Sequence, residues 1–489
     1  MPQHPDCVQP RKTQLPRSGK FVVAPPHVPY NKNGMFPMVI PREQHSLSRS
    51  LIRPEALRIL YRLRDAGFKA YLCGGCVRDL LLHRKPKDFD LVTDARPDEI
   101  RRLFRNCRII GRRFRLCHIL FGRNDFIEVA TFRSLTDAPE VPQASRRLKA
   151  AAARLPAGLI IRDNVFGTPE EDALRRDFTV NALFYDISTF AILDYVNGMA
   201  DLQARVLRCI GDPRRRYVED PVRMIRAIRH AAALDLTMEK ETRAAISECR
   251  DYLAYSSPAR LYEEMLKLLA CGALERVYGE LRKTGLMETL FPPLAEWLSA
   301  HPHAGEERTR LAARWLDAAL RDGRTLPPAL QIAIFFGPFH EAEAERLLAE
   351  GNAPSRNAAL MAAVHQHFDR LRPRILVPRV TVSEIAHLMN LMLRLFRVPP
   401  VARHPLRSRP LFAEALEYAA FHARLTGEGL DRINTWATVE PLSASPPSSR
   451  FPFRKRRRRT ARQVPADGAD GPHEAVPLAA HPAEGESLV

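Results

Sequence analysis

The sequence predicts an α+β protein: a mixed head of strands and helices, followed by a body built from helices. Three observations lead there. Between residues 69 and 195, short apolar runs with strand character are interleaved with helical periods. From about Arg214 onward the helical periods continue almost without strand-like runs. The two ends of the chain differ in composition from everything between them, as segments outside a packed core do.

Taken in order, residues 52–67 place Leu57, Leu60, Tyr61 and Leu63 on one helical face and stop at Gly67. "KAYLC" reads as a short strand, Gly74-Gly75 as a turn and "VRDLLLH" as a helix start. "DFDLVT" reads as the next strand, and "DARPDEIRRLF" as a helix with Asp94 as its N-cap. "CRIIG", "LCHILFG" and "DFIEVATF" are three further strand-like runs. Residues 134–160 are rich in Ala and Arg with little pattern and are expected to form a mobile loop. "DFTVNALFYDIS" and "AILDYV" look like strands ending in the turn "NGMADL". Beyond them, "DPVRMIRAIRHAAALDL", "ETRAAISECRDYLA", "PARLYEEMLKLLACGALERVYGELRKTG" and "TRLAARWLDAALRDG" each carry a helical period.

The chain has 489 residues, enough for two to four domains. No apolar run approaches the roughly 20 residues that a membrane helix needs. Residues 1–42 hold one acidic residue, Asp6, and six Lys or Arg, without a compact apolar region, and read as a flexible basic leader. Net charge is +19, an excess that favours a polyanionic partner, nucleic acid or an anionic membrane surface. Arg or Lys fills eight of the thirteen positions from 450 to 462. Within that run Arg454, Lys455, Arg456, Arg457, Arg458 and Arg459 are candidate RNA-phosphate contacts in a disordered tail, 441–489. The eight cysteines are thinly spread, which suits a reducing compartment, and a cytoplasmic location is expected.

Cys73 and Cys76 form a C-x-x-C pair, yet no second such pair exists to complete a structural zinc site, and both intervening residues are Gly. They read better as small residues flanking a turn. Asp88 and Asp90, two apart on a predicted strand, share a face. Paired carboxylates repel unless a cation lies between them, and hard oxygen donors suit Mg²⁺. The upstream glycine turn lets backbone N–H groups approach phosphate, and Arg78 adds a cation. Glu128 alternates away from Ile127 and Val129, so it either joins the Asp pair in one cleft or is an exposed strand residue. Glu219 or Asp220 with Arg223 has the spacing of an ordinary helix-surface ion pair.

"GGCVRDLLL", "KPKDFDLVT", "IEVATFR", "EEDALRRDFTVNALFYD" and "RYVEDPVRMIRAIRHAA" resemble, in this order, the motifs of the class II nucleotidyltransferases. That family comprises bacterial poly(A) polymerases and CCA-adding tRNA nucleotidyltransferases, and the resemblance covers roughly residues 40 to 270. It implies a polymerase-β-like nucleotidyltransferase head with a mixed sheet, then all-α neck, body and tail. The head is placed at 43–200, the neck at 201–275, and body with tail at 276–440. It implies template-independent addition of nucleotides to RNA 3′ ends, with ATP as substrate and two Mg²⁺ ions. Asp88, Asp90 and Glu128 match the metal-binding acids. Asp177 is matched as a further catalytic residue. Gly74, Gly75 and Arg78 match the nucleotide loop, and Arg176, Asp177 and Asn181 the motif that closes over the nucleotide. Asp220, Arg223 and Arg226 match the helix that reads the base edge.

Three features lean toward the poly(A) branch. They are "IPREQHSLSR", the dense Arg101, Arg102, Arg105, Arg108, Arg112, Arg113 and Arg115, and the Arg-rich tail. Cys76 stands where that branch usually has a third Gly, a departure that leaves the CCA-adding activity as the alternative. A non-catalytic RNA-binding protein on the same scaffold is the other alternative, disfavoured because all three carboxylates are present. The RNA 3′ end and ATP are the expected partners. Beyond residue 290 the resemblance cannot be followed.

Overall fold

The computed structural model describes residues 36–111, 115–122, 125–134, 165–402 and 404–438. Most of the expected leader, the loop from 135, Arg112, Arg113 and the Arg454–Arg459 run lie outside the described residues. The head is an eight-stranded mixed sheet in the order β1-β8-β7-β2-β3-β6-β5-β4. Its strands are β1 (Met38–Ile40), β2 (Ala70–Cys73), β3 (Asp90–Thr93), β4 (Cys107–Ile110), β5 (Leu116–Leu120), β6 (Phe126–Thr131), β7 (Leu183–Asp186) and β8 (Ile192–Asp194). Only β3 and β6 run parallel among these neighbours.

Alternation decides the two faces of the sheet. Leu72, Leu91, Cys117, Ile119, Ile127 and Val129 point into the main core. There they meet Ile59, Leu60 and Leu63 of α1 (Pro54–Asp65), Val77 and Leu80 of α2 (Gly75–Leu81), and Ile100 of α3 (Pro97–Leu103). On the other face, Cys73, Val92, Phe132 and Phe184 pack a smaller cluster with Ala173 of α4 (Pro169–Arg175). That face keeps an uncovered part, where the candidate site lies.

Four local expectations are corrected. Met38–Ile40, inside the expected leader, pairs with β8, because Ile40 reaches the core. Asp94 does not cap α3: Arg96 stands at that position, and Asp94 accepts from the Lys69 N–H (2.9 Å). The expected turn "NGMADL" opens α5 (Gly198–Gln203), started by Asn197 in the left-handed region. Residues 258–285 are two helices, α9 (Pro258–Leu269) and α10 (Leu274–Thr284), because Gly272 at φ +74° turns the chain between them.

The neck holds α6 (Pro213–Glu219), α7 (Val222–Leu234) and α8 (Lys240–Cys249), with a small parallel pair, β9 (Val206–Leu207) and β10 (Thr237–Met238), that the helical pattern hid. The remainder is helical, from α11 (Leu286–Leu290), α12 (Pro292–Ala300) and α13 (Ala304–Arg321) through α14 (Pro328–Ala349), α15 (Arg356–Leu371) and α16 (Arg379–Leu395) to α17 (Phe412–Thr426) and α18 (Leu430–Thr438). One apolar cluster runs from Ile40 to Trp436. Head, neck and body therefore share a core. No described helix is long and apolar enough to cross a membrane.

The body buries a histidine pair. His340 Nε2 and His367 Nδ1 are 2.8 Å apart among Phe336, Phe339 and Phe368, and the outer nitrogens have no hydrogen-bond partner among the described residues. Burial lowers His340 to about 3 and holds His367 well below the ordinary range. The unfolded chain therefore binds protons below pH ~6.5 that the folded chain refuses. Stability should be full above that pH and fall toward pH 3, by up to ~1.4 kcal/mol per pH unit for each neutral ring. Urea unfolding at pH 7.5 and pH 5 checks this, with His340→Leu/His367→Leu showing a smaller drop.

Candidate active site

Asp90 opens β3, and its Cα partners are Cys73 on β2 and Glu128 on β6. Glu128 is in turn the partner of His118 on β5. The parallel β3–β6 register thus brings two of the three expected acids side by side. Asp88 lies just before the strand and is exposed, so the expected strand begins two residues later than the sequence pattern suggested. Asp90 opens to solvent on one side but is otherwise enclosed by protein. Burial, with Glu128 and Asp88 adding repulsion against the opposing Arg176, pushes its carboxyl up to about 6. Burial also raises Glu128, opposed by Arg133, with Asp88 adding to the rise. His118 Nε2 is 3.5 Å from Glu128 Oε2, and burial lowers the imidazole from its ordinary value.

The glycine turn sits where β2 gives way to α2. Gly74 has φ +74°, and a Cβ there would stand 2.9 Å from the Arg176 Nη1. Gly74→Ala should therefore combine backbone strain of about 1–3 kcal/mol with displacement of Arg176. The expected result is a rise in KM for the nucleotide, read in steady-state kinetics. Gly75 is the first residue of α2. Both neighbouring thiols are buried, and burial pushes Cys73 up to about 12 and Cys76 well above its ordinary value. They are packing residues of the turn. Arg176 Nη2 reaches the Cys73 sulfur (3.3 Å).

A buried polar chain joins this turn to the neck. Arg78 donates to Asp79 (2.8 and 2.9 Å) and to the side-chain oxygen of Asn181. Asn181 donates to Asp177 Oδ1 (3.0 Å), which also accepts from the Phe178 N–H (2.8 Å). Asp177 Oδ2 accepts from Arg226 of α7 (2.6 and 2.8 Å). Burial alone would raise Asp177, but Arg226 and the remaining polar neighbours hold it below the ordinary range. Asp177 thus differs from the open pair Asp90 and Glu128 in its surroundings: its contacts tie head to neck. Arg78 likewise faces inward, and Arg176 pairs with Asp172 (2.9 Å). These two arginines shape the turn through their partners.

On the neck, Arg223 and Arg226 lie one turn apart on α7. Arg223 is fixed by the Arg216 carbonyl (3.0 Å), the Arg175 carbonyl (3.2 Å) and Glu219 (3.2 Å). Asp220 pairs elsewhere: both its oxygens accept from Arg260 of α9, each at 2.7 Å. Arg260 had no signal in the sequence, since forty residues separate it from Asp220 and no motif contains it.

Known proteins resemble this chain over most of its length. Residues 70–208 match the family model described as the poly A polymerase head domain, and residues 235–298 that described as the probable RNA and SrmB-binding site of polymerase A. Poly(A) polymerase I of Salmonella typhi is 40% identical over 413 residues, 83% of this chain and 86% of that protein. The chain belongs to the poly(A) polymerase I family. That of Haemophilus influenzae is 39% identical over 410 residues, 83% of this chain and 87% of that protein. A CCA-adding enzyme of Lactobacillus helveticus is 36% identical over only 214 residues, 44% of this chain and 49% of the enzyme. The crystal structure of the Bacillus stearothermophilus CCA-adding enzyme in complex with CTP superposes with a TM-score of 0.52 at 24% identity, over 79% of this chain and 83% of that one. That likeness shows the shared fold, a nucleotidyltransferase head with a helical remainder. A poly(A) polymerase I family member is a nucleotidyltransferase, and this chain is therefore an enzyme.

Among the described residues, no three His, Cys, Asp or Glu side chains form a ready-made metal cluster. The donors present fit Mg²⁺ all the same. They are carboxylates, burial together with repulsion from neighbouring carboxylates raises Asp90 and Glu128, and Mg²⁺ keeps water and substrate phosphate oxygens among its ligands.

Proposed function

We propose that the protein adds adenylate from ATP to RNA 3′ ends without a template and releases pyrophosphate, as part of RNA processing and decay. The similarity to poly(A) polymerase I over 83% of the chain carries this reading, whereas sequence similarity to the CCA-adding enzymes of Lactobacillus helveticus and Lactobacillus johnsonii covers 44% and 53% of it. The RNA 3′-oxygen attacks the α-phosphorus of ATP, one P–O bond forms, and the bond to pyrophosphate breaks. Asp88, Asp90 and Glu128 would hold two Mg²⁺ ions, which supply charge neutralisation to the attacking and leaving oxygens. The turn at Gly74 and Gly75 offers backbone N–H groups to the triphosphate. Arg78, Arg176 and Asn181 hold that turn in shape, and Asp177 with Arg226 fixes the neck against it. Arg223 presents donors to the base edge. Asp220, already paired with Arg260, orients this face. The free, buried cysteines described fit work in the cytoplasm.

Extension of a labelled oligo-A primer and of a tRNA lacking its 3′ CCA, with Mg²⁺ and ATP alone or ATP plus CTP, tests the assignment. Long ladders on oligo-A with ATP alone are expected. Addition of at most three nucleotides, confined to the tRNA and requiring CTP, would instead establish CCA addition. RNA binding without any extension would support the non-catalytic alternative. Deleting 450–462 should weaken RNA binding and flatten its dependence on salt. An unchanged slope in a filter-binding salt titration would remove Arg454–Arg459 from the phosphate contacts.

A further inference from the structure

Four side chains stand in one row across the open face of the sheet. Arg108 on β4, His118 on β5, Glu128 on β6 and Asp90 on β3 are successive Cα partners. Strands lie about 4.8 Å apart, so Arg108 stands roughly 10 Å from Glu128, toward the edge of the sheet. Arg108 is exposed, and no carboxylate lies within 4.0 Å of it among the described residues.

Phe126 is two residues before Glu128 and shares its face, roughly 6.7 Å along the strand. Its ring stacks on His118, with centroids 3.9 Å apart and planes inclined by 11°. Phe126 is 44% exposed, and the His118 side chain 17%. Phe126 is therefore the more exposed ring of the two, with one face on the imidazole. The pair is a diagonal cross-strand contact on the face away from the core of this hairpin, which lies at Cys117, Ile119, Ile127 and Val129.

We propose that Phe126, backed by His118, is a stacking platform for the base of the RNA's 3′-terminal nucleotide, and that Arg108 takes a phosphate of the same strand. This rests on the reading that Glu128 lies beside the attacking 3′-hydroxyl. A hydroxyl held there carries its own base within about one nucleoside's reach, the spacing from Glu128 to Phe126. Stacking ignores base identity because every base has a π-face. That property suits a primer end that begins as any nucleotide and becomes adenine after the first addition. The arginine supplies the backbone contact that positions the strand without selecting a sequence.

The test is steady-state extension by the full-length protein, with unfolding midpoints measured on every variant. Phe126→Ala and Phe126→Leu should raise KM for an oligo-A primer by roughly fivefold or more, with KM for ATP unchanged. Phe126→Trp should restore it. On a primer whose last nucleotide lacks its base, wild type and Phe126→Leu should behave alike. Arg108→Gln should lower the salt slope of primer binding by roughly 0.7. Equal penalties for Phe126→Leu on primers with and without the terminal base would overturn the platform, because lost hairpin packing affects both alike. If Glu128→Gln abolishes extension while Phe126→Leu leaves the primer KM unchanged, the platform falls and the catalytic reading stands. Full activity of Glu128→Gln would overturn that reading and the platform with it.

Discussion

Replacing Asp88 and Asp90 together with alanine should abolish primer extension and leave RNA binding within about twofold, since phosphate contacts supply most of that affinity. Metal-assisted stabilisation is worth several kcal/mol, and at ~1.4 kcal/mol per tenfold its loss lowers kcat by roughly 10³-fold or more. Single-turnover extension on oligo-A measures this directly. A second readout is independent of turnover. Asp90 is raised to about 6 chiefly by burial, with Glu128 and Asp88 as repelling neighbours and Arg176 opposing the rise. Its ionised form therefore disfavours folding, so this group's contribution is lost as pH rises from ~4 toward 6. Mg²⁺ should raise Tm at pH 7.5 for the wild type and not for the double variant. Retained extension would remove these acids from the metal site.

Asp177→Ala should be the most destabilising single change in the head. It leaves Arg226 without its carboxylate and Asn181 without its acceptor, both within the buried join of head and neck. Removing one partner of a buried ion pair costs about 3–5 kcal/mol. Urea unfolding should show that loss, and Asp177→Ala/Arg226→Ala should cost less than the two single changes added together. Additive single losses would show that the two side chains do not depend on each other. Because these residues hold α7 against the glycine turn, kcat should fall with stability in the single variants.

Much of the molecule was legible in one dimension. Binary alternation placed β2, β3, β5 and β6, and the helical period placed α1, α7 and α13, because burial on one side of a regular element leaves a period in the chain. The carboxylates, the glycine turn and the neck helix could be named because each motif is contiguous and its chemistry is local. Local pattern failed where a long-range partner decides the outcome. Met38–Ile40 is a strand because β8 lies beside it, and Asp94, two residues before the cap of α3, accepts from the distant Lys69 N–H. The same limit governs the site. Asp88, Asp90, Glu128 and the turn at Gly74, the residues proposed to carry the chemistry, could be picked out from the chain alone. Their neighbours could not. The β3–β6 register set Asp90 beside Glu128, α9 brought Arg260 to Asp220, and the hairpin stacked Phe126 on His118. Such pairings depend on strand order and helix packing, and those follow from the core as a whole, not from any stretch of the chain that contains the partners.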